Sequence, residues 1–182
     1  DNFRGIVRLL KAILLTTLIF ETVGALLSFP VFVRNYPPLK ALGISIFHSV
    51  SSFNNAGFDI LGGGQSLIPY QNDILLNLVT GGLIIFGGLG FLVILDVLRN
   101  RSFRKLTLHS KVVISTTLTL LTVGTLVFRF TEHMPWIGAF FNSVTARTAG
   151  FATYPLNDFS NAGLFVMILL MFIGASPGST GG

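Results

Sequence analysis

An all-α membrane protein built from repeated helix–pore-loop–helix units is the fold class this sequence predicts, and three observations predict it. Hydrophobic residues make up 51% of the 182 and charged residues 10%, with a mean hydropathy of +0.76. A soluble domain averages about 25% charged residues, so the chain lacks the polar surface to face water all round. Long apolar runs recur along it, at residues 12–33, 74–98, 112–128 and 159–173. Finally, two short stretches that begin at Phe47 and Phe140 and end in Ala-Gly-Phe read as copies of each other. Each lies between two long runs and is too short and too polar at its end to cross a bilayer, which suits a half-helix that dips in and a polar backbone that comes back out.

Each element follows from local chemistry. A hydrocarbon core of about 30 Å takes roughly 20 apolar residues as helix, and the first span, 12–33, follows Arg4, Arg8 and Lys11 and carries Glu21. Pro37-Pro38 opens the short stretch 39–53, as proline suits a first helical turn where its missing N–H would be unpaired anyway. Asn72-Asp73 stands ahead of the second span, 74–98, and Asn157-Asp158 ahead of the fourth, 159–173; an Asx residue is a natural N-cap. Gly87-Gly88, deep in the second span, reads as close helix packing. Pro135 opens the second short stretch, 135–146, and Thr22-Val23-Gly24 in the first span returns as Thr122-Val123-Gly124 in the third. The organisation is therefore a pore unit over 1–98, a basic linker over 99–111, and a second pore unit over 112–182 cut short within its last helix. The chain starts at Asp1 and stops at Gly181-Gly182 inside an expected membrane segment, so a piece of a longer protein is expected.

Charge fixes the orientation and removes other classes. The net charge is +5, and its carriers cluster before the first span and at Arg99, Arg101, Arg104, Lys105 and Lys111. Basic residues collect on the cytoplasmic side of spanning helices, which places the linker 99–111 in the cytoplasm and the mouths of the pore loops outside; Tyr36, Trp136 and Tyr154 fall at the outer ends as interfacial aromatics. A nucleic-acid surface needs interleaved aromatics, and Phe103 is alone there, so no nucleic acid is expected. The absence of cysteine removes disulfides, thiolate zinc sites and cysteine nucleophiles. His48, His109 and His133 have no ligand spacing, so no transition-metal site is assigned.

The polar ends of the two copies carry the chemistry. A helix C-terminus bears roughly −0.5 elementary charge, which favours a cation beyond it. There lie Asn54, Asn55, Ala56, Gly57 and Phe58 in one copy and Arg147, Thr148, Ala149, Gly150 and Phe151 in the other. Non-helical backbone at membrane depth survives where it lines water or protein, and its carbonyls can replace an ion's hydration shell when about four loops surround one axis, as in potassium channels. The alternative is that Ala-Gly-Phe packs a tight turn. Arg147 is expected to form a structural ion pair or to tether the loop. Glu21 is either functional or satisfied by a helix–helix hydrogen bond, and Asp59 either draws cations to the mouth or starts a turn. Past the fourth span, Gly174, Ala175, Ser176, Pro177, Gly178, Ser179, Thr180, Gly181 and Gly182 interrupt the helix; an interior proline costs about 3 kcal/mol. Gly174 to Gly178 also matches the G-x-S-x-G of a serine nucleophile elbow, which needs a strand before it. An intramembrane serine hydrolase using Ser176 and a non-conducting scaffold are the two other functional classes.

These three motifs, in this order, resemble the Trk/Ktr/HKT superfamily of potassium transporters, nearest to its Ktr membrane subunits, over essentially the whole chain. The resemblance corresponds to the second and third of four pore units arranged with pseudo-fourfold symmetry. It implies that Gly57 and Gly150 are filter glycines and that their neighbours flank the path of a transported potassium ion. It also implies that Gly174 to Gly182 form an intramembrane gate loop, and that the partners are the lipid of the cell membrane, a second copy in a homodimer and a KtrA-like cytoplasmic ring of nucleotide-binding regulator subunits. Serine at a filter glycine marks sodium-permeable members; both positions here are glycine, and sodium coupling stays open.

Overall fold

The computed structural model describes residues 2–57, 61, 66–147 and 151–174, with Leu156 described by its backbone only. Phe58, Asp59, Thr148, Ala149, Gly150 and residues 175–182, all singled out by the sequence, lie outside the described residues.

Among the described residues, seven α-helices form two units, each with three packed helices. The first unit holds α1 (Asn2–Phe32), α2 (Pro38–Phe53) and α3 (Ile74–Leu89), the last followed by α4 (Phe91–Asn100); the second holds α5 (Leu108–Thr131), α6 (Trp136–Ala146) and α7 (Asn161–Ile173). Within each unit every helix touches the other two, and α6 of the second unit packs on α3 of the first. The short helices α2 and α6, at about 24 and 16 Å, fall well short of a bilayer core, as expected for elements that enter and return. Their starts also agree with the proline reading: Pro38 takes the first turn of α2, while Pro135 is the N-cap of α6.

α1 and α5 are long and apolar enough to cross a membrane. Both begin earlier than the apolar runs: α1 at Asn2 rather than residue 12, because Arg4, Arg8 and Lys11 are good helix formers and nothing there stops the turn. α5 begins at Leu108 because Thr107 caps it, its Oγ1 accepting from Ser110 N at 3.3 Å, while the Asp96 carboxylate accepts from Thr107 N at 3.0 Å.

Two expectations for the inner helices are corrected. Residues 74–98 are not one continuous span: α3 and α4 meet at a 95° bend. Gly90 sits there with φ +93°, a conformation open to glycine and costly for other residues, and Ile94 N restarts the helix on Gly90 O. Gly88 is not a close-packing position either, since a Cβ there would meet no heavy atom within 4 Å. The second correction concerns the fourth span, whose cap is Ser160 and not Asn157-Asp158, which form part of a 3-10 turn. The Glu132 carboxylate at the end of α5 accepts from both Ser160 N, at 2.9 Å, and Ser160 Oγ, which fixes the serine as the entry point of α7. As described, α7 is 13 residues long, about 20 Å.

Asp73 behaves as read. Its Oδ1 accepts from Leu76 N at 2.9 Å and its Oδ2 pairs with Arg34 across the first unit. Asp73→Ala is expected to lower thermal stability in detergent by about 1 kcal/mol, the usual worth of an N-cap. Asp73→Ser, which keeps the cap and drops the ion pair, should restore most of it; an Asp73→Ala protein that melts with the parent would contradict the assignment.

The two units share a core. Val31, Phe32, Ala41, Leu76 and Ile84 of the first unit are buried together with Phe141, Val144 and Phe151 of the second. A second cluster, around Phe128, Met134, Ala139 and Leu170, lies inside the second unit alone.

Candidate functional site: the ends of the two short helices

The same joint holds both short helices. Ser49 Oγ on α2 donates to the backbone carbonyl of Glu21 on α1 at 2.5 Å, and Ser143 Oγ on α6 donates to that of Leu121 on α5 at 3.2 Å. One turn further along each outer helix lies the repeated glycine. A Cβ at Gly24 would stand 2.5 Å from Ser49 Oγ and 2.7 Å from Leu83, and one at Gly124 closer still to Ser143 Oγ and 3.3 Å from Leu170. No other residue lets the three helices approach this far. The Thr-Val-Gly repeat is thus the sequence mark of a three-helix contact made twice. The structure pairs Ser49 with Ser143, not with Asn142 as the loop copies align, because α2 has one more residue than α6 between its serine and its cap.

Beyond the joint, α2 ends in a Schellman turn. Ala56 N donates to Ser51 O at 2.9 Å and Asn55 N to Ser52 O at 3.1 Å, with Asn55 at φ +56° in the left-handed conformation this cap requires. Asn is the residue besides glycine that tolerates it. Asn54 N is also engaged, with Val50 O at 3.1 Å. Three successive amides are therefore turned back onto the helix, and the backbone runs on through Ala56 to Gly57 at φ +65°. Such an arrangement suits a cation and not an anion.

Glu21, which the sequence left between two roles, bonds α2 through side chain as well as backbone: its Oε1 accepts from Asn54 Nδ2 at 3.0 Å, and the same Nδ2 reaches Val50 O at 2.8 Å. In the second unit Arg147 is the C-cap of α6, and its Nε donates to Gly174 O at 2.9 Å. Arg147 therefore makes a tether, as one of the two readings of it expected, but the tether runs to the end of α7. Phe151 is packed in the shared core, and its carbonyl accepts from Thr145 Oγ1 at 2.9 Å.

Past Phe151 the two units are stitched together. Ala152 N donates to Ser66 Oγ and Leu67 N to Ala152 O, each at 2.9 Å. Sequence reasoning missed a further link, His48. Its ring is fully buried on α2, with Nε2 2.7 Å from Thr80 Oγ1 on α3 and its centroid 5.2 Å from that of Phe151. A lone histidine without ligand spacing gives no signal for such a contact, which depends on residues 32 and about 100 positions away. Among the described residues no three His, Cys, Asp or Glu come together to hold a metal ion.

Comparison with known proteins identifies the family. The chain is 40% identical to the potassium/sodium uptake protein NtpJ of Enterococcus hirae, over all of this chain and 42% of that protein. It is also 40% identical to the Ktr system potassium uptake protein B of Vibrio alginolyticus, over 96% of this chain and 41% of that one. The chain thus spans about two-fifths of the length of these relatives. Its fold is like that of the potassium transporter TrkH from Vibrio parahaemolyticus, with a TM-score of 0.67 at 22% identity over 94% of this chain and 37% of that one. The family model described as TrkH, cation transport protein, matches residues 2–134 and 106–182, which leaves only Asp1 uncovered. The chain belongs to the TrkH family of cation transport proteins.

Proposed function

We propose that this chain contributes two neighbouring pore units to a potassium uptake protein of the cell membrane, in which dehydrated potassium passes through a ring of main-chain oxygens drawn from four such units. Residues 1–98 and 112–182 are the two units, and the basic segment 99–111 between them faces the cytoplasm. The observation that carries this reading is the end of α2, where the amides of Asn54, Asn55 and Ala56 are spent on the helix and a carbonyl-bearing stretch follows through Gly57. The occurrence of the same Ser–Gly joint in both units supports it, since each joint aims one short helix from the same side of its unit. The names of the relatives give potassium or potassium and sodium as the ions they take up, and potassium is the ion assigned here, with sodium its competitor.

In this reading Gly57 and Gly150 are the filter glycines, flanked by Asn54 to Phe58 and Arg147 to Phe151. The stretch from Gly174 to Gly182 gates the path from below, a homodimer forms the functional protein, and a cytoplasmic ring of nucleotide-binding subunits drives the gate. A serine hydrolase using Ser176 has no place in a family of transporters.

The test is tracer flux. The full-length protein in liposomes, with potassium inside and radioactive rubidium outside, is expected to accumulate rubidium above empty vesicles, and removal of residues 175–180 should raise the flux several-fold and weaken its dependence on the regulator. No flux from the unaltered protein would point to the scaffold reading instead, and unchanged flux after the deletion would reduce that segment to helix packing.

A further inference from the structure

The two short helices end in corresponding capping residues, Asn54 and Arg147, yet these are anchored to different things. In the first unit the capping residue Asn54 is held by Glu21, on the outer helix α1. In the second unit the outer-helix residue at Glu21's place, the one whose carbonyl receives the joint serine, is Leu121. Leu121 lines the narrow cleft in which Arg147 lies, together with Ile84, Thr117 and Val144, and its side chain has no acceptor. Arg147 instead reaches the other way, to Gly174 O at 2.9 Å. Gly174 closes α7, with φ +68° and its N–H on Leu170 O at 3.1 Å.

The pairing is chemically sound. The last carbonyls of a helix lack intrahelical donors, they carry the negative end of the helix dipole, and a guanidinium is the strongest donor for them. A part-buried guanidinium deprived of that acceptor is also costly. The bond is thus one that α6 and α7 give up with difficulty. It joins the residue three positions before Gly150 to the residue at which the inner helix stops.

We propose that Arg147 is a positioning residue that makes conduction through the second filter loop answer to the position of α7, while Glu21 and Asn54 hold the first filter loop to the outer helix and independent of α7. The proposal rests on the potassium-pathway reading above. Its consequence is an unequal division of labour in a repeated structure: the cap of α2 is held by a carboxylate on the outer helix, and the cap of α6 by a carbonyl at the end of the inner helix.

A double-mutant cycle in the full-length protein tests it, read as the ratio of rubidium to sodium tracer uptake in liposomes. Arg147→Met should lower that ratio about tenfold, the usual scale for a lost hydrogen bond to a charged group, and Arg147→Lys, which keeps a donor and the charge, should recover most of it. Gly174→Ala forces a side chain into the left-handed conformation and displaces the end of α7; it should lower the ratio in the parent and add nothing in the Arg147→Met background. Glu21→Gln, the control, should lower the ratio and leave the full Gly174→Ala effect in place. If the methionine variant does not fold, Arg147→Gln serves the same cycle. Additive losses for Arg147→Met and Gly174→Ala, or equal coupling of Gly174 to Glu21, would overturn the proposal while leaving the transport reading intact. A parent protein without uptake would remove both.

Discussion

Replacing Gly57 by serine is expected to lower the preference for potassium over sodium by about tenfold. The stretch after α2 places two left-handed residues within three positions, Asn55 at φ +56° and Gly57 at φ +65°. Asparagine tolerates that region; for most other residues it costs about 1–2 kcal/mol. A serine at 57 escapes the cost by rotating its peptide, which turns a carbonyl away from the position it holds now. Since each 1.4 kcal/mol is a factor of ten in an equilibrium, a strain of this size converts directly into lost discrimination. The measurement is tracer uptake of rubidium against sodium by the full-length protein, backed by growth of potassium-uptake-deficient cells on low potassium. Gly150→Asp, at the matching position of the second loop, should abolish growth on the same medium. Unimpaired growth and selectivity with both changes would mean that neither glycine lines the ion path.

The second large effect concerns the joint rather than the filter. Gly124→Ala puts a methyl group into the space of Ser143 Oγ, with Ser143 Cβ at 3.1 Å and Leu170 at 3.3 Å leaving no route of escape. Overpacking of this kind costs about 1–3 kcal/mol, and Gly24→Ala against Ser49 and Leu83 is expected to cost as much. Thermal unfolding in detergent reads the loss. The double change Gly124→Ala with Ser143→Ala removes the oxygen and should recover part of the stability, though not all, since the serine Cβ contact remains. A Gly124→Ala protein as stable as the parent would show that the helices have room to spare and that the Thr-Val-Gly repeat has another cause.

Much of this molecule is legible in its residues, and what is not has physical reasons. The short helices could be placed because their starts carry proline and their apolar stretches are too brief to span. The Asp73 cap could be placed because a carboxylate before an apolar run has a nearby amide to accept from. Gly87-Gly88-Leu89-Gly90 was harder: glycine in a helix serves close packing or a break equally well, and only the positive φ of Gly90 separates the two. The cap of α7 was missed because a residue distant in sequence, Glu132, selects Ser160 over the Asx pair before it. The register of the two short helices was off by one because the loops, which align best, sit one residue nearer the joint in α6. For the filter, the sequence pointed to Asn54 through Phe58 in one loop and to Arg147 through Phe151 in the other; it could not tell that the amides of Asn54, Asn55 and Ala56 turn back onto α2, since that depends on the left-handed turn at Asn55.

The contact of α6 on α3 has one more implication. It is made by Phe140, Phe141 and Val144 against Gly81, Ile84 and Ile85. Superposing one joint on the other carries the first three onto Ile46, Phe47 and Val50 of α2, and the second three onto Ile168, Met171 and Phe172 of α7. All six are open at the surface, Phe172 by 90%. The residues that meet between the two units thus each have an exposed counterpart in the other unit. Head-to-tail contacts of this sort go on adding until the rotation closes, so in the proposed pore of four units these faces are the ones through which neighbours would meet.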